Sequence, residues 1–153
     1  MAKTAQQRGR ANRRSGHSFE NECAKDLFQE LGIEFKRNLD QTREAFQGDL
    51  ISSDPGFPFL VECKRRSKGN RVPAGAWNQA VAAAQAMQSG GVRPFPAVLY
   101  RYPFQRTFAV VPYAAISEGE TGVRTENTFD IADITFEAFC KLSREIMAWR
   151  KPA

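Results

Sequence analysis

Glu62-Cys63-Lys64 closes the apolar run Phe57-Pro58-Phe59-Leu60-Val61, and thirteen residues before Glu62 stands Asp49, within Gly48-Asp49-Leu50-Ile51. Between them lies Ser52-Ser53-Asp54-Pro55-Gly56. Two β-prone runs flanking such a cluster predict a β-hairpin. Side chains alternate along a strand, so Glu62 and Lys64 share a face, and an antiparallel partner brings the Asp49 carboxylate close to Glu62. Two carboxylates and a lysine on one patch make a poor core. They make a good place to hold a divalent cation beside a phosphate, because hard cations such as Mg²⁺ take one or two carboxylates plus substrate phosphates. The chemistry this predicts is metal-dependent hydrolysis of a phosphodiester; the bland alternative is an exposed strand edge.

A third carboxylate stands upstream. Phe19, Cys23, Ala24, Leu27, Phe28 and Leu31 have the spacing of an amphipathic helix over residues 18–31. Glu20 falls near the middle of that apolar side, where a carboxylate needs a cation, a metal or hydrogen-bond donors. Ser18 is the expected N-cap, which would put Glu20 in the first turn. Glu20 is thus either a metal-site acid or an acid serving the helix dipole.

In this order (helix acid, strand acid, E-x-K, helix glutamine), Glu20, Asp49, Glu62-Cys63-Lys64 and Gln79 resemble the PD-(D/E)xK nuclease superfamily. Gly16-x-x-Phe19-Glu20, Gly48-Asp49-Leu50 and Val61-Glu62-Cys63-Lys64 are similar to archaeal-type Holliday junction resolvases and their phage-borne relatives. Residues 37–43 and Trp77-Asn78-Gln79-Ala80 look like the phage group, and the resemblance spans residues 16–101. Asp49 follows Gly rather than Pro, a departure from the literal motif.

The resemblance implies an α/β restriction-endonuclease-like core, a mixed sheet of about five strands flanked by helices. It implies Mg²⁺, with Mn²⁺ as a substitute, held by Asp49, Glu62 and the main-chain carbonyl of Cys63, with Glu20 completing one or a second site. Lys64 would orient water or stabilise transition-state charge, and Gln79 would help position lysine, water or phosphate. Gln79 also reads as a helix-surface amide. The implied substrate is branched DNA, a four-way junction cut by a homodimer. Other specificities of the same superfamily (linear duplex, nicking, flap), a non-cleaving DNA-binding module, and a metal-free subunit whose acids pair with Arg37 or Arg43 remain open.

At 153 residues, with 42% hydrophobic and 25% charged residues, the chain is long enough for one core. A single nuclease domain is expected over residues 15–153. Cys23, Cys63 and Cys140 fit neither zinc spacing nor a disulfide framework, and a single histidine, His17, argues against histidine-based metal sites and Ser/His triads. The sequence has no signal-peptide pattern and no apolar run near the length of a membrane span. The expected setting is cytoplasmic, that of a bacterial host cell if the chain is phage-borne.

The net charge of +5 is unevenly placed. Residues 1–14 carry +5, from Lys3, Arg8, Arg10, Arg13 and Arg14, while residues 15–62 carry −6. Residues 63–117 carry +8 without one acid, and residues 118–153 carry −2. Such a stretch beginning at Lys64 suits a polyanion, or is solubilising surface. Arg8, Arg10, Arg13, Arg14, Arg43, Arg65, Arg66, Lys68 and Arg71 are the expected DNA contacts, with Arg101 either on phosphate or an ordinary surface arginine. Residues 1–14 are expected to be a disordered basic arm.

The remaining elements can be placed coarsely. Residues 33–37 alternate as a first strand, and residues 38–47 form a polar excursion. An uncharged helix covered on two sides is expected over residues 73–88, with Ser89-Gly90-Gly91 ending it. Two strands follow, over residues 96–100 and 107–111, before a last helix capped by Thr135 and carrying Phe136, Phe139, Cys140, Ile146 and Met147 on one face.

Overall fold

The computed structural model describes residues 2–39, 48–87, 92–125 and 130–152. Arg43, most of the polar excursion and the Ser89-Gly90-Gly91 stop lie outside them. Among the described residues, six strands form one mixed sheet in sequence order, one more strand than expected. The strands are β1 (Phe35–Arg37), β2 (Leu50–Ser52), β3 (Phe59–Arg65), β4 (Phe95–Arg101), β5 (Phe108–Pro112) and β6 (Ile131–Thr135). All neighbours are antiparallel except β3 and β4, whose parallel register runs from Phe59 opposite Phe95 to Arg65 opposite Arg101. A parallel pair needs a crossover, which α2 (Ala76–Ala86) supplies.

Helix α1 (Ala5–Leu31) is longer at its start than its apolar stripe predicted. Thr4, not Ser18, is the N-cap: its hydroxyl accepts from the Gln7 amide while the Gln7 side chain accepts from the Thr4 amide. The basic segment expected to lack structure is therefore helical from Ala5. Residues 5–18 hold neither proline nor a β-branched residue and are rich in Ala, Gln and Arg, all favourable in helices. At the other end Gly32 adopts φ +69° and donates to the Phe28 carbonyl, the left-handed closure glycine permits.

Both faces of the sheet are covered. Phe19, Cys23 and Leu27 of α1 pack on one face with α3 (Tyr113–Thr121) and α4 (Phe136–Arg150), around Val61, Cys63, Leu99 and Phe139. The rings of Phe57, Phe59, Phe95 and Phe139 stand 4.8–6.4 Å apart in that layer. On the other face α2 lays Ala76, Ala80, Ala83 and Ala84 against Leu60, Val98, Tyr100 and Val110. Small side chains let this helix lie close to the sheet. Its outer side, with Asn78, Gln79, Ala82 and Gln85, is exposed: of the two expected coverings, the sheet and a neighbouring element or subunit, the described residues of this chain supply the first. The helix also starts later than expected, at Ala76 after Gly75 in a left-handed conformation. β4 is buried on both faces, as its continuous apolar run predicted.

Two elements had not been expected. α3 begins directly after Pro112, and β6 is a sheet-edge strand of Ile-Ala-Asp-Ile-Thr paired only with β5. Glu118 of α3 is buried and accepts from Arg150 at 2.6 and 3.0 Å, while the Trp149 indole donates to the Gly119 carbonyl at 2.9 Å. These contacts fasten α3 to α4. Thr135 caps α4 as expected, accepting from the Ala138 amide at 3.1 Å.

At the head of β2, Gly48 has φ +77°, and a Cβ there would lie 2.6 Å from the Val61 carbonyl oxygen. Gly48→Ala should cost about 2 kcal/mol or more, from left-handed backbone and that overlap together. Urea unfolding of the purified variant should show the loss as a lower midpoint at unchanged slope; an unchanged midpoint would mean that the chain does not pass this close to β3.

Candidate active site

The close approach of Gly48 determines what Asp49 can do. The Asp49 amide donates to the Val61 carbonyl at 2.9 Å, and Leu50 pairs with Val61. Beyond this point the acceptor for the next outward-facing amide of β3, that of Cys63, is the Asp49 carboxylate, Oδ2, at 2.8 Å. Asn38 holds the segment from the far side: its amide donates to the Asp49 carbonyl and its side-chain nitrogen to the Gly48 carbonyl, both at 2.9 Å. Asp49 is thereby buried and fixed in register with β3.

The N–H and C=O of a strand residue point to the same neighbouring strand. Since the Cys63 N–H meets Asp49, its carbonyl is directed at that same edge. The Cys63 thiol points away into the α1 layer, where contact with Cys23 and then burial hold its pKa well above the usual thiol value. Cys63 thus offers an oxygen to the site and keeps an inert thiol in the core. Glu62 is buried on β3, and Lys64, two residues on, shares its side of the strand and is half-buried.

A cavity of about 690 Å³ opens at this edge. Asp49, Cys63 and Lys64 line it from the sheet, and Glu20 with Gly16, Ser15 and Asn12 from α1. Arg65 at the end of β3, Arg66 and Ser67 after it, and Pro103 complete the lining. The structure therefore brings Glu20, Asp49, Cys63, Lys64, Arg65 and Arg66 to one cavity. Glu62 lies on the same strand, β3, without lining it, and Gln79 is exposed on α2, also outside the lining. The position of Gln79 is that of a helix-surface amide.

Glu20 stands about four turns into α1, well beyond the first turn where a helix dipole acts. It accepts from Arg37 Nε at 2.9 Å, and both side chains are about one-fifth exposed. The partner foreseen for a metal-free arrangement is thus the one Glu20 has here. Arg101 is not turned to solvent either: it pairs with Glu22 and stacks over the Phe19 ring, 5.1 Å from its centroid.

Among the described residues, no three His, Cys, Asp or Glu side chains stand close enough to hold a metal ion. The donors at the cavity, the Asp49 carboxylate and the Cys63 carbonyl with Glu20 across from them, still fit Mg²⁺, which usually keeps several waters and takes only one or two carboxylates. They do not form a closed all-protein cage.

The basic residues divide by position. Arg65 and Arg66 line the cavity, whereas Lys68 and Arg71 are exposed on the loop that follows. That loop is tied down by the Tyr102 hydroxyl, which donates to the Arg71 carbonyl at 2.6 Å, and by the Arg66 amide, which donates to the Arg101 carbonyl. At the start of α1, Lys3, just before the helix, shares a groove with Gln7, Arg10 and Arg14. At 100° per residue this stripe faces away from the side carrying Asn12, Ser15 and Phe19. Arg8 folds back onto the Lys3 carbonyl, 2.7 Å away, and Arg13 is exposed.

Sequence reasoning missed Asn38, whereas Arg37 had been named as a partner for the acids. Nothing local marks Asn38; its contact with Gly48 crosses ten residues of chain.

Comparison with curated proteins and with solved structures finds no match for the chain. Among protein families, one model, described as "Phage putative PDDEXK endonuclease", matches residues 11–148. The match takes in Glu20, Asp49, Glu62-Cys63-Lys64, the basic wall and α4 together, and the chain belongs to this family of phage PD-(D/E)xK endonucleases.

Proposed function

We propose that the protein is a Mg²⁺-dependent endodeoxyribonuclease that cuts four-way DNA junctions as a homodimer. The observation that carries this reading is the Asp49–Cys63 contact, which sets a buried carboxylate, a strand carbonyl and Lys64 at one cavity with a basic wall. A divalent cation bound there would polarise a phosphate and make water a better nucleophile. Asp49, Glu62, Glu20 and the Cys63 carbonyl would hold it, and Mn²⁺ should substitute. Asn38 and Gly48 keep the Asp49 carboxylate in place, so little of its freedom remains to be lost on binding. Lys64 brings a positive charge to the reacting phosphate, where it can orient the attacking water and offset charge in the transition state. Arg65 and Arg66 hold the flanking phosphate oxygens by charge-assisted hydrogen bonds.

The junction specificity rests on the resemblance of the motifs. The dimer rests on arithmetic: a 17.2 kDa chain with one such acid set must be doubled to cut two opposed strands. The uncharged outer side of α2 and the α4 end around Trp149 are the surfaces suited to that contact. A second reading, a metal-free subunit that does not cleave, is favoured by one observation, the pairing of Glu20 with Arg37.

Labelled four-way junction and its linear duplex arms, incubated with Mg²⁺ and with EDTA, separate these readings. Paired nicks placed symmetrically about the crossover, dependent on Mg²⁺, are expected; equal cutting of linear duplex would make it a general endonuclease. Lys64→Ala should lower cleavage about 100-fold or more while junction binding persists. Asp49→Ala and Glu62→Ala should also lose Mg²⁺ affinity by calorimetry. Wild-type cleavage by any of the three would remove that residue from the site.

Glu20→Gln decides between metal ligand and structural partner. A partly exposed ion pair contributes about 0–1 kcal/mol, so loss of the Arg37 pair alone should barely move the melting temperature. A ligand's loss should reduce turnover by orders of magnitude. Full turnover, with the melting temperature barely moved, would leave Glu20 only its bond to Arg37.

The α1 stripe should act through phosphates alone. Each phosphate neutralised on duplex DNA adds about −0.9 to the slope of log K against log salt. Replacing Lys3, Arg10 and Arg14 by Gln should therefore flatten the slope by about 3 units when all three engage, with the rate at saturating DNA unchanged. An identical slope would show that the stripe stays solvated.

A further inference from the structure

The turn that joins β4 to β5 carries a phenylalanine that serves neither the backbone nor the core. Residues 102–105 close with the Gln105 amide donating to the Tyr102 carbonyl at 3.1 Å, and Phe104 occupies the third position with φ +62°. Among the described residues it is the one non-glycine with positive φ. A turn with proline second and positive φ third calls for glycine or asparagine there, because a Cβ is strained in that conformation. A bulky side chain is among the least suited.

Packing does not offset this strain. The Phe104 ring is 109% exposed relative to a free residue, whereas the next most exposed large apolar side chains among the described residues, Val92 and Val123, reach 62%. A ring that costs the backbone and gains nothing from the core must be stabilised by something outside the chain, or have a use there.

Its surroundings indicate what that partner is. Pro103, the residue before it, lines the cavity that holds Asp49, Cys63 and Lys64, and shares a wall with Arg65 and Arg66. Arg106 follows two residues later and is exposed. The base of the turn is rigid: Tyr102 is buried and its hydroxyl donates to the Arg71 carbonyl. Gly69, at φ +128°, passes so close that a Cβ would lie 2.7 Å from the Tyr102 hydroxyl oxygen. The ring thus stands on a fixed support at the cavity rim, among cations suited to phosphates. An aromatic face beside a basic groove is what stacks on an exposed base, and an apolar side chain pushed between base steps unstacks and kinks a duplex.

We propose that Phe104 is a wedge that stacks on a nucleobase at a branched or distorted step and so seats the neighbouring phosphate in the cavity. The proposal rests on the nuclease reading and adds to it a determinant of substrate shape: DNA whose bases are already unstacked binds best, because less stacking must be broken.

The test uses the full chain in EDTA, so that binding is read without cleavage. The probe is a four-way junction with 2-aminopurine at the branch point, and a linear duplex of the same sequence serves as control. Wild-type protein should raise 2-aminopurine emission on the junction. Phe104→Gly should bind the junction about 5- to 150-fold more weakly and leave emission unchanged. Its melting temperature should equal or exceed that of the wild type, since glycine relieves the turn; Phe104→Asn should behave alike, and Phe104→Trp should restore binding and emission.

Junction affinity and emission in Phe104→Gly equal to the wild type would overturn the proposal. So would a change of oligomeric state in light scattering with the DNA signals intact, which would make the ring a contact between copies. Should the wild type bind neither DNA, the nuclease reading itself fails. Should it bind the junction with no Phe104 dependence, only the wedge does.

Discussion

The backbone crossing of Gly48 beneath the Val61 carbonyl is the constraint on which the site depends. A side chain at residue 48 would hold β2 away from β3. With none, the Asp49 amide reaches Val61, and the Asp49 carboxylate reaches the Cys63 amide that would otherwise seek a backbone acceptor. A buried amide left without an acceptor is costly, so the strand pair and the position of the acid are maintained by the same bond. Asn38 closes the arrangement with two bonds to the same two residues.

β3 then divides its residues between two tasks. Phe59, Val61 and Cys63 face the α1 layer and belong to the larger core, while Glu62 and Lys64 alternate to the other side. The strand's edge is a third surface, and the Cys63 carbonyl lies on it. Close packing of the aromatic layer behind β3 makes this frame stiff. The parallel pairing with β4 continues past Lys64 to Arg65 and Arg101, so the lysine emerges from a strand held along its β4 side rather than from a loop.

Charge is sorted with the same economy. Arg37 and Arg101 project from strand ends to α1, where Glu20 and Glu22, on different sides of the helix, receive them. Arg65 and Arg66 instead line the cavity wall, and Lys68 and Arg71 ride on the loop pinned by Tyr102. The positive stretch that begins at Lys64 thus divides: Arg101 neutralises the protein's own helix, Arg65 and Arg66 line the cavity, and Lys68 and Arg71 stay exposed on the loop.

The α/β class, the hairpin and the pairing of Asp49 with the E-x-K strand were legible in the sequence, because each follows from alternation, turn residues and apolar runs within some twenty residues. Thr135 as a cap and β4 as a doubly covered strand were legible for the same reason. The start of α1 was misread because a polar, basic segment carries no apolar period, and the helix there depends on propensity and the Thr4 cap. α3 and β6 escaped because one is short and weakly patterned and the other is an edge strand. Which acid meets which base had no local sign. Glu20 and Arg37 are seventeen residues apart, and only the packing of α1 against β1 brings them together. Gln79 marks the limit from the other side: its motif position was clear, but the small residues Ala76, Ala80, Ala83 and Ala84 decide which face of α2 meets the sheet, and they turn the amide outward. Sequence determined the chemistry available along each element; tertiary packing decided which atoms share a cavity, since burial and backbone hydrogen bonding are satisfied only between elements.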